Sequence, residues 1–199
     1  KPTLYDTPVY DFDFRNWAGN YIWLHKQPLF LWQMAASIRL FGANEIAVRL
    51  PDVILHALIS LIIYRTGRLT VNGKAGFYAA CFFALAYYPL ELVAGKFPTD
   101  HNDLSFLFYV TASVWSWLEY RSSGKRGWLL LTGIFAGAAV LVKWLFGMII
   151  FVIWTASLLR ESFFIRRVTG KYHSLLAGIS VSLLVFLPWQ AYIFEKYPQ

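Results

Sequence analysis

A lysine set two positions before a proline, and carboxylates at the mouth of an apolar run, are the residues of this sequence best placed for chemistry. Lys26 stands in His25-Lys26-Gln27-Pro28, just ahead of an apolar stretch. Lys96, Asp100, His101 and Asp103 crowd a short segment between two long apolar runs. Lys143 interrupts another run, and Arg49, Asp52 and His56 fall near the start of a further one. At 100° per residue Arg49 and His56 return to within about 20° of each other, with Asp52 within about 60° of both. They form a polar stripe on an otherwise apolar helix. A compact ammonium at a membrane surface can hold a phosphate or pyrophosphate headgroup while the lipid tail stays in the bilayer. A carboxylate opposite it can take a proton from an acceptor hydroxyl. Together these groups would serve displacement at a sugar carbon with a lipid phosphate leaving.

Each of these residues also has a plainer role. Lys26 could snorkel at an interface. Asp100 could cap a helix, with Asp103 three positions on in a box-like arrangement. Glu45 and Arg49 are four apart and could be an ordinary helical ion pair, and Asp52 and His56 could be polar packing groups between helices. Lys143 could be a turn residue. His25, Asp100 and His101 could hold a divalent metal, although their spacing is a weak signal for one and no cofactor is required by the sequence. Trp and Tyr near helix ends read first as interface belts.

The elements that carry these residues are membrane helices. A span needs about 20 apolar residues, and suitable runs cover 45–64, 75–95, 104–119 and 175–194. The run from Trp128 to Leu159 is too long for one crossing. Three loops are basic: Arg65, Arg68 and Lys74; Arg121, Lys125 and Arg126; and Arg160, Arg166, Arg167 and Lys171. If these face the cytoplasm, the long run must cross twice, at 128–142 and 144–159, with Lys143 at the outer turn. Six spans follow within 28–194, with 1–27 and 195–199 outside the cytoplasm. Leu29 to Leu40 is too short to span and reads as an interfacial or re-entrant helix, begun by Pro28 and stopped by Gly42.

Composition agrees. Of 199 residues, 58% are apolar and only 15% charged, against about 25% charged in soluble domains. A soluble globular domain, a disordered chain and a disulfide scaffold are excluded on that basis. The net charge of +7 is no nucleic-acid signal, because the basic residues sit in short loops between apolar runs. The lone Cys81 can make no intrachain disulfide. The fold class expected is all-α, a polytopic integral membrane protein among membrane lipids.

The stretch His25-Lys26-Gln27-Pro28-Leu29-Phe30-Leu31-Trp32, followed by Leu40-Phe41-Gly42-Ala43-Asn44-Glu45 and then Arg49-Leu50-Pro51, resembles the pattern of bacterial glycosyltransferases related to protein mannosyltransferases and to the aminoarabinose transferases that modify lipid A. Pro98-Thr99-Asp100 before an apolar helix resembles the acidic loop of that family, and Leu141-Val142-Lys143-Trp144 its later lysine segment. The resemblance implies a GT-C fold and an inverting transferase. The donor would be a polyprenyl-phosphate sugar and the acceptor an extracytoplasmic lipid, glycan or protein, in a bacterial inner membrane with the site facing the periplasm. Residue by residue, it implies that Lys26 contacts the lipid phosphate and that Asp100, with Asp103 as rival, is the second acidic site residue. His25 would touch metal or substrate, and Lys143 and Arg49 would sit on the substrate side. Gln27 departs from the family's commoner proline. The family's first acidic motif lies well upstream of the lysine, and only 25 residues precede Lys26 here. Asp11 and Asp13 are too close to it, so the principal catalytic carboxylate is expected outside this sequence.

Two other functions fit the residues without the resemblance. In a transporter or flippase of a lipid-linked or polar substrate, Arg49, Asp52 and His56 would line a path. In a non-catalytic membrane subunit the upstream acidic motif would be absent.

Overall fold

The computed structural model describes residues 24, 26–96, 102–164 and 169–197, with the side chains of 162–171 left aside. Among the described residues all regular structure is helical. The helices are α1 (Pro28–Phe41), α2 (Glu45–Thr70), α3 (Gly73–Ala84), α4 (Tyr87–Val93), α5 (Asn102–Ser123), α6 (Arg126–Lys143), α7 (Ile149–Phe164) and α8 (Thr169–Lys196), with a short 3-10 turn at Trp144–Met148 between α6 and α7.

Local sequence explains the boundaries. Pro28 opens α1, where its missing N–H costs nothing, and Gly42 ends it at a positive φ of 85°. Asn44 and Asn72 cap α2 and α3 by accepting from the N–H groups of Ala47 and Ala75. Pro51 lies inside α2, in its second turn, where it removes one helical hydrogen bond.

Glu45–Thr70, Arg126–Glu161 and Tyr172–Lys196 are long and apolar enough to cross a membrane. A fourth crossing is added if α3 and α4, bent by 51° at their junction, count as one. The expected six is therefore not reached. One reason is α5: Asp103, Ser105, Thr111, Ser113, Ser116, Glu119 and Arg121 dilute its apolar character along its length. The other lies in Arg126–Glu161, whose halves are each short for a bilayer about 30 Å thick. Large apolar side chains such as Phe82, Leu85, Phe146, Leu184 and Phe194 are more than 70% exposed. Exposure on that scale suits lipid as the surrounding solvent.

The direction of each helix follows from its contacts. Gly67 backs onto Gly76, and His56 reaches Ala84 O at 3.2 Å, so α2 and α3 run antiparallel. Arg65 of α2 meets Glu119 of α5. Gly133 packs against Gly178 and Val181, and Gly137 against Ser182 and Val185, so α6 and α8 run parallel. Two helices separated by a third can be parallel only if the middle one returns. The chain does reverse at Trp144–Met148: Gly147 lies back against Ala139 and Val140, and Trp144 takes a positive φ of 57°. Ion pairs then tie both ends of α5 to this stretch, Asp103 to Lys143 and Arg121 to Glu161.

The main core lies between α5, α6, α7 and α8, built on Trp117, Leu129, Ala136, Ile150, Phe151 and Trp154. A smaller cluster of Val140, Leu141 and Phe186 receives Leu29 of α1. Gly133 and Gly137 form a small-residue pair that lets the α6 and α8 backbones approach, as membrane helices often do without a hydrophobic drive between them. A Cβ on Gly147 would stand 2.6 Å from the carbonyl carbon of Ala139. Gly147→Ala is accordingly expected to cost about 1–2 kcal/mol through overpacking. Gly127→Ala, with nothing within 4 Å of its added carbon, should be neutral or stabilising by a few tenths. Thermal unfolding of the full-length protein in detergent measures both.

Candidate functional site

One end of the bundle gathers the lysine segment before α1, the start of α2, the end of α4, the start of α5, the end of α6 and the last turns of α8. The opposite end carries Arg65, Arg68, Lys74, Arg121 and Arg126.

The polar stripe on α2 proves to be packing. Arg49 pairs with Glu45, one helical turn back, as a costly lone arginine near membrane depth should. Its guanidinium lies close over Gly95 at the end of α4. Asp52 is 2% exposed. His56 is held by the Ala84 carbonyl and stacks on Phe83 at 5.0 Å. These contacts tie α2 to α3 and α4.

Lys96 pairs with Glu91 and donates to the Tyr87 hydroxyl at 3.0 Å. Asp103 pairs with Lys143, whose ammonium also stands 5.9 Å from the centre of the Phe106 ring. The structure thus brings two of the expected site residues together, across the start of α5 and the end of α6.

Lys26 is different. It is exposed and makes no ion pair with a described carboxylate. It lines a cavity of about 470 Å³ with Gln27 and the end of α8, chiefly Trp189, Gln190, Ile193 and Tyr197. That volume falls in the usual range for small-molecule sites. One cation, two neutral amides and an apolar and aromatic wall suit a ligand with an anionic head and an apolar tail.

His25, Asp100 and His101 lie outside the described residues, so the Lys26–Asp100 pairing and the metal set rest on the sequence. Among the described residues no three His, Cys, Asp or Glu side chains come together as a metal group.

Glutamines join these parts, and no sequence motif singled them out. Gln33 of α1 donates to the Tyr109 hydroxyl at 2.7 Å and accepts from Ser105 at 2.8 Å. Ser105 is two residues beyond Asp103, so this amide fixes α1 against the start of α5. Gln190 of α8 donates to Gln27 at 3.0 Å. Their only signal in the sequence was a lone amide in an apolar run, which must find a partner once buried.

Apolar helices of spanning length, a reversal inside the longest of them and a charged end holding an open cavity define a multi-pass helical membrane protein. The family model for dolichyl-phosphate-mannose-protein mannosyltransferase matches residues 25–192, and the chain belongs to that family. It is 30% identical over 170 residues to the undecaprenyl phosphate-alpha-4-amino-4-deoxy-L-arabinose arabinosyl transferase of Pseudomonas aeruginosa, covering 79% of this chain and 28% of that protein. The protein of the same name from Pseudomonas paraeruginosa matches at the same identity and coverage. An uncharacterized protein of Aquifex aeolicus is 25% identical over 137 residues, 69% of this chain and 25% of that protein. The chain spans about a quarter of the length of these relatives. No solved structure matches it.

Proposed function

We propose that this chain is part of an inverting membrane glycosyltransferase that moves a sugar from a polyprenyl-phosphate donor to an extracytoplasmic acceptor. The observation that carries the reading is Lys26, an exposed ammonium that pairs with no carboxylate among the described residues, beside an amide- and aromatic-walled cavity. Membership of the mannosyltransferase family supports it, as do the names of the Pseudomonas relatives, which contain a lipid-phosphate sugar.

In this mechanism the acceptor hydroxyl attacks the sugar's anomeric carbon while the bond from that carbon to the phosphate oxygen breaks. Lys26 stabilises the charge that grows on the leaving lipid phosphate. A carboxylate takes the hydroxyl proton. Asp100 is assigned that side of the site, together with an acidic group from elsewhere in the full protein. Asp103 is engaged by Lys143 and acts as a tie between α5 and α6. The protein sits in the bacterial inner membrane, with the Lys26 end facing the periplasm. Lipid-linked sugars are the donors available there, since nucleotide sugars are not supplied on that side.

The test uses the full-length protein with a labelled polyprenyl-phosphate sugar in vesicles. Transfer of label to an acceptor is expected, and movement of the intact lipid between leaflets without bond cleavage would establish a transporter instead. In the same assay Asp100→Asn should lower transfer more than Asp103→Asn. The Asp103–Lys143 pair is partly exposed, and such pairs contribute about 0–1 kcal/mol, so Asp103→Asn should cost less than about fivefold. A greater loss at Asp103 than at Asp100 would reverse the assignment.

A further inference from the structure

We infer that Gln190 is a positioning residue for Lys26, acting through Gln27, and that this amide pair sets where the lipid phosphate sits beside α8. The inference rests on the phosphate role given to Lys26 above and adds the group that aims it.

Gln190 is 8% exposed and its side chain donates to the Gln27 carbonyl oxygen at 3.0 Å. A buried amide left without a partner is unfavourable, so the contact holds its geometry. Gln27 stands at the N-cap of α1, yet its side chain makes no capping hydrogen bond. It is engaged by α8 instead. The residue before a proline is confined to extended backbone, and Gln27 lies there, at φ −67° and ψ 153°. Lys26 is therefore bonded directly to a residue held at both its backbone and its side chain. A lysine ammonium on a flexible four-carbon stem is aimed mainly by where its backbone is anchored.

The last turns of α8 are seated on α1 by a second contact. Trp189 meets Trp32 edge-on at 5.3 Å. Pro188 lies just before this segment inside α8, where it removes one helical hydrogen bond. Side-chain contacts consequently matter more in fixing the segment's position. The choice of amides is also chemical. A carboxylate at 27 or 190 would pair with the Lys26 ammonium and compete with phosphate. A neutral amide leaves the ammonium free, and Gln27 keeps its own N–H donors for an anion's oxygens.

The experiment titrates undecaprenyl phosphate, without a sugar, into the full-length protein in nanodiscs. Lys26→Ala should weaken binding at least tenfold. Gln190→Ala and Gln27→Ala should each weaken it roughly threefold to tenfold, and Gln27→Ala, which orphans the buried Gln190 amide, should lower the unfolding temperature more than Gln190→Ala. The double variant should be no worse than either single one, because both remove the same contact. Gln190→Glu supplies a readout that a purely structural role would not give. Relative to the native protein at the same pH, its binding should weaken further as pH rises and the new carboxylate ionises. Gln190→Ala binding like the native protein while Lys26→Ala has lost binding would overturn the positioning role alone. Additive losses in the double variant, or no pH step in Gln190→Glu, would do the same. Unchanged binding in Lys26→Ala would remove the phosphate reading itself, and the positioning role with it.

Discussion

Replacing Lys26 by alanine in the full-length protein is expected to lower donor use by roughly tenfold or more. Hydrogen bonds to a charged group are worth about 1.5–3 kcal/mol, and about 1.4 kcal/mol is a factor of ten. Arg49, Lys96 and Lys143, at the same end of the bundle, already have carboxylate partners. Lys26 has none among the described residues and lines the cavity, so no described carboxylate competes with a phosphate for it. The leaving phosphate gains charge as its bond to the sugar breaks, so the lost contact is stronger in the transition state than in the bound donor. The loss should therefore appear in turnover as well as in apparent donor affinity. Lys26→Arg should recover only part of the activity, because a planar guanidinium does not place its charge where a compact ammonium does. Initial rates against donor concentration measure both effects, and a fully active Lys26→Ala protein would defeat the site assignment.

The second large effect lies at the opposite end and concerns folding. Glu119 is 5% exposed and takes Arg65 Nε at 2.5 Å and Nη2 at 3.1 Å, with Trp115 Nε1 also donating at 3.1 Å. Arg65→Leu would leave that carboxylate buried without its counter-charge. Breaking a buried pair by removing one partner costs about 3–5 kcal/mol. Because the Arg65 side chain is 39% exposed, solvent offsets part of that cost and the loss falls short of the fully buried case. The double variant Arg65→Leu with Glu119→Leu should recover much of the loss, since no isolated charge then remains. Thermal unfolding of the full-length protein in detergent measures the loss. The two single losses adding up in the double variant would show that the residues act independently.

The amino-acid sequence alone determined the class of this protein. Long apolar runs, few charges and basic loops can be accommodated only by helices in a bilayer, because every backbone group there needs a partner within the segment. Local rules also reached α1, with Pro28 at its start and Gly42 at its end, and the Glu45–Arg49 pair, whose partners are one turn apart. The lysine block was legible because its residues are consecutive, and the family followed from it.

Other features depended on contacts between residues far apart in the chain. Periodicity put Arg49, Asp52 and His56 on one face of α2, but only the neighbouring α3 and α4 made that face an interface. Asp103 and Lys143 were each noted as site residues, yet their pairing needed the reversal at Trp144–Met148. Fewer helices are long and apolar enough to cross than the six expected, because apolar runs were counted without weighing the polar residues along α5. Gln33 and Gln190 carried no local signal beyond being amides in apolar helices. The bond from Gln190 to Gln27 spans 163 positions. A hydrogen-bonding partner at that separation is chosen by how helices pack, and no pattern read along a single helix contains that information.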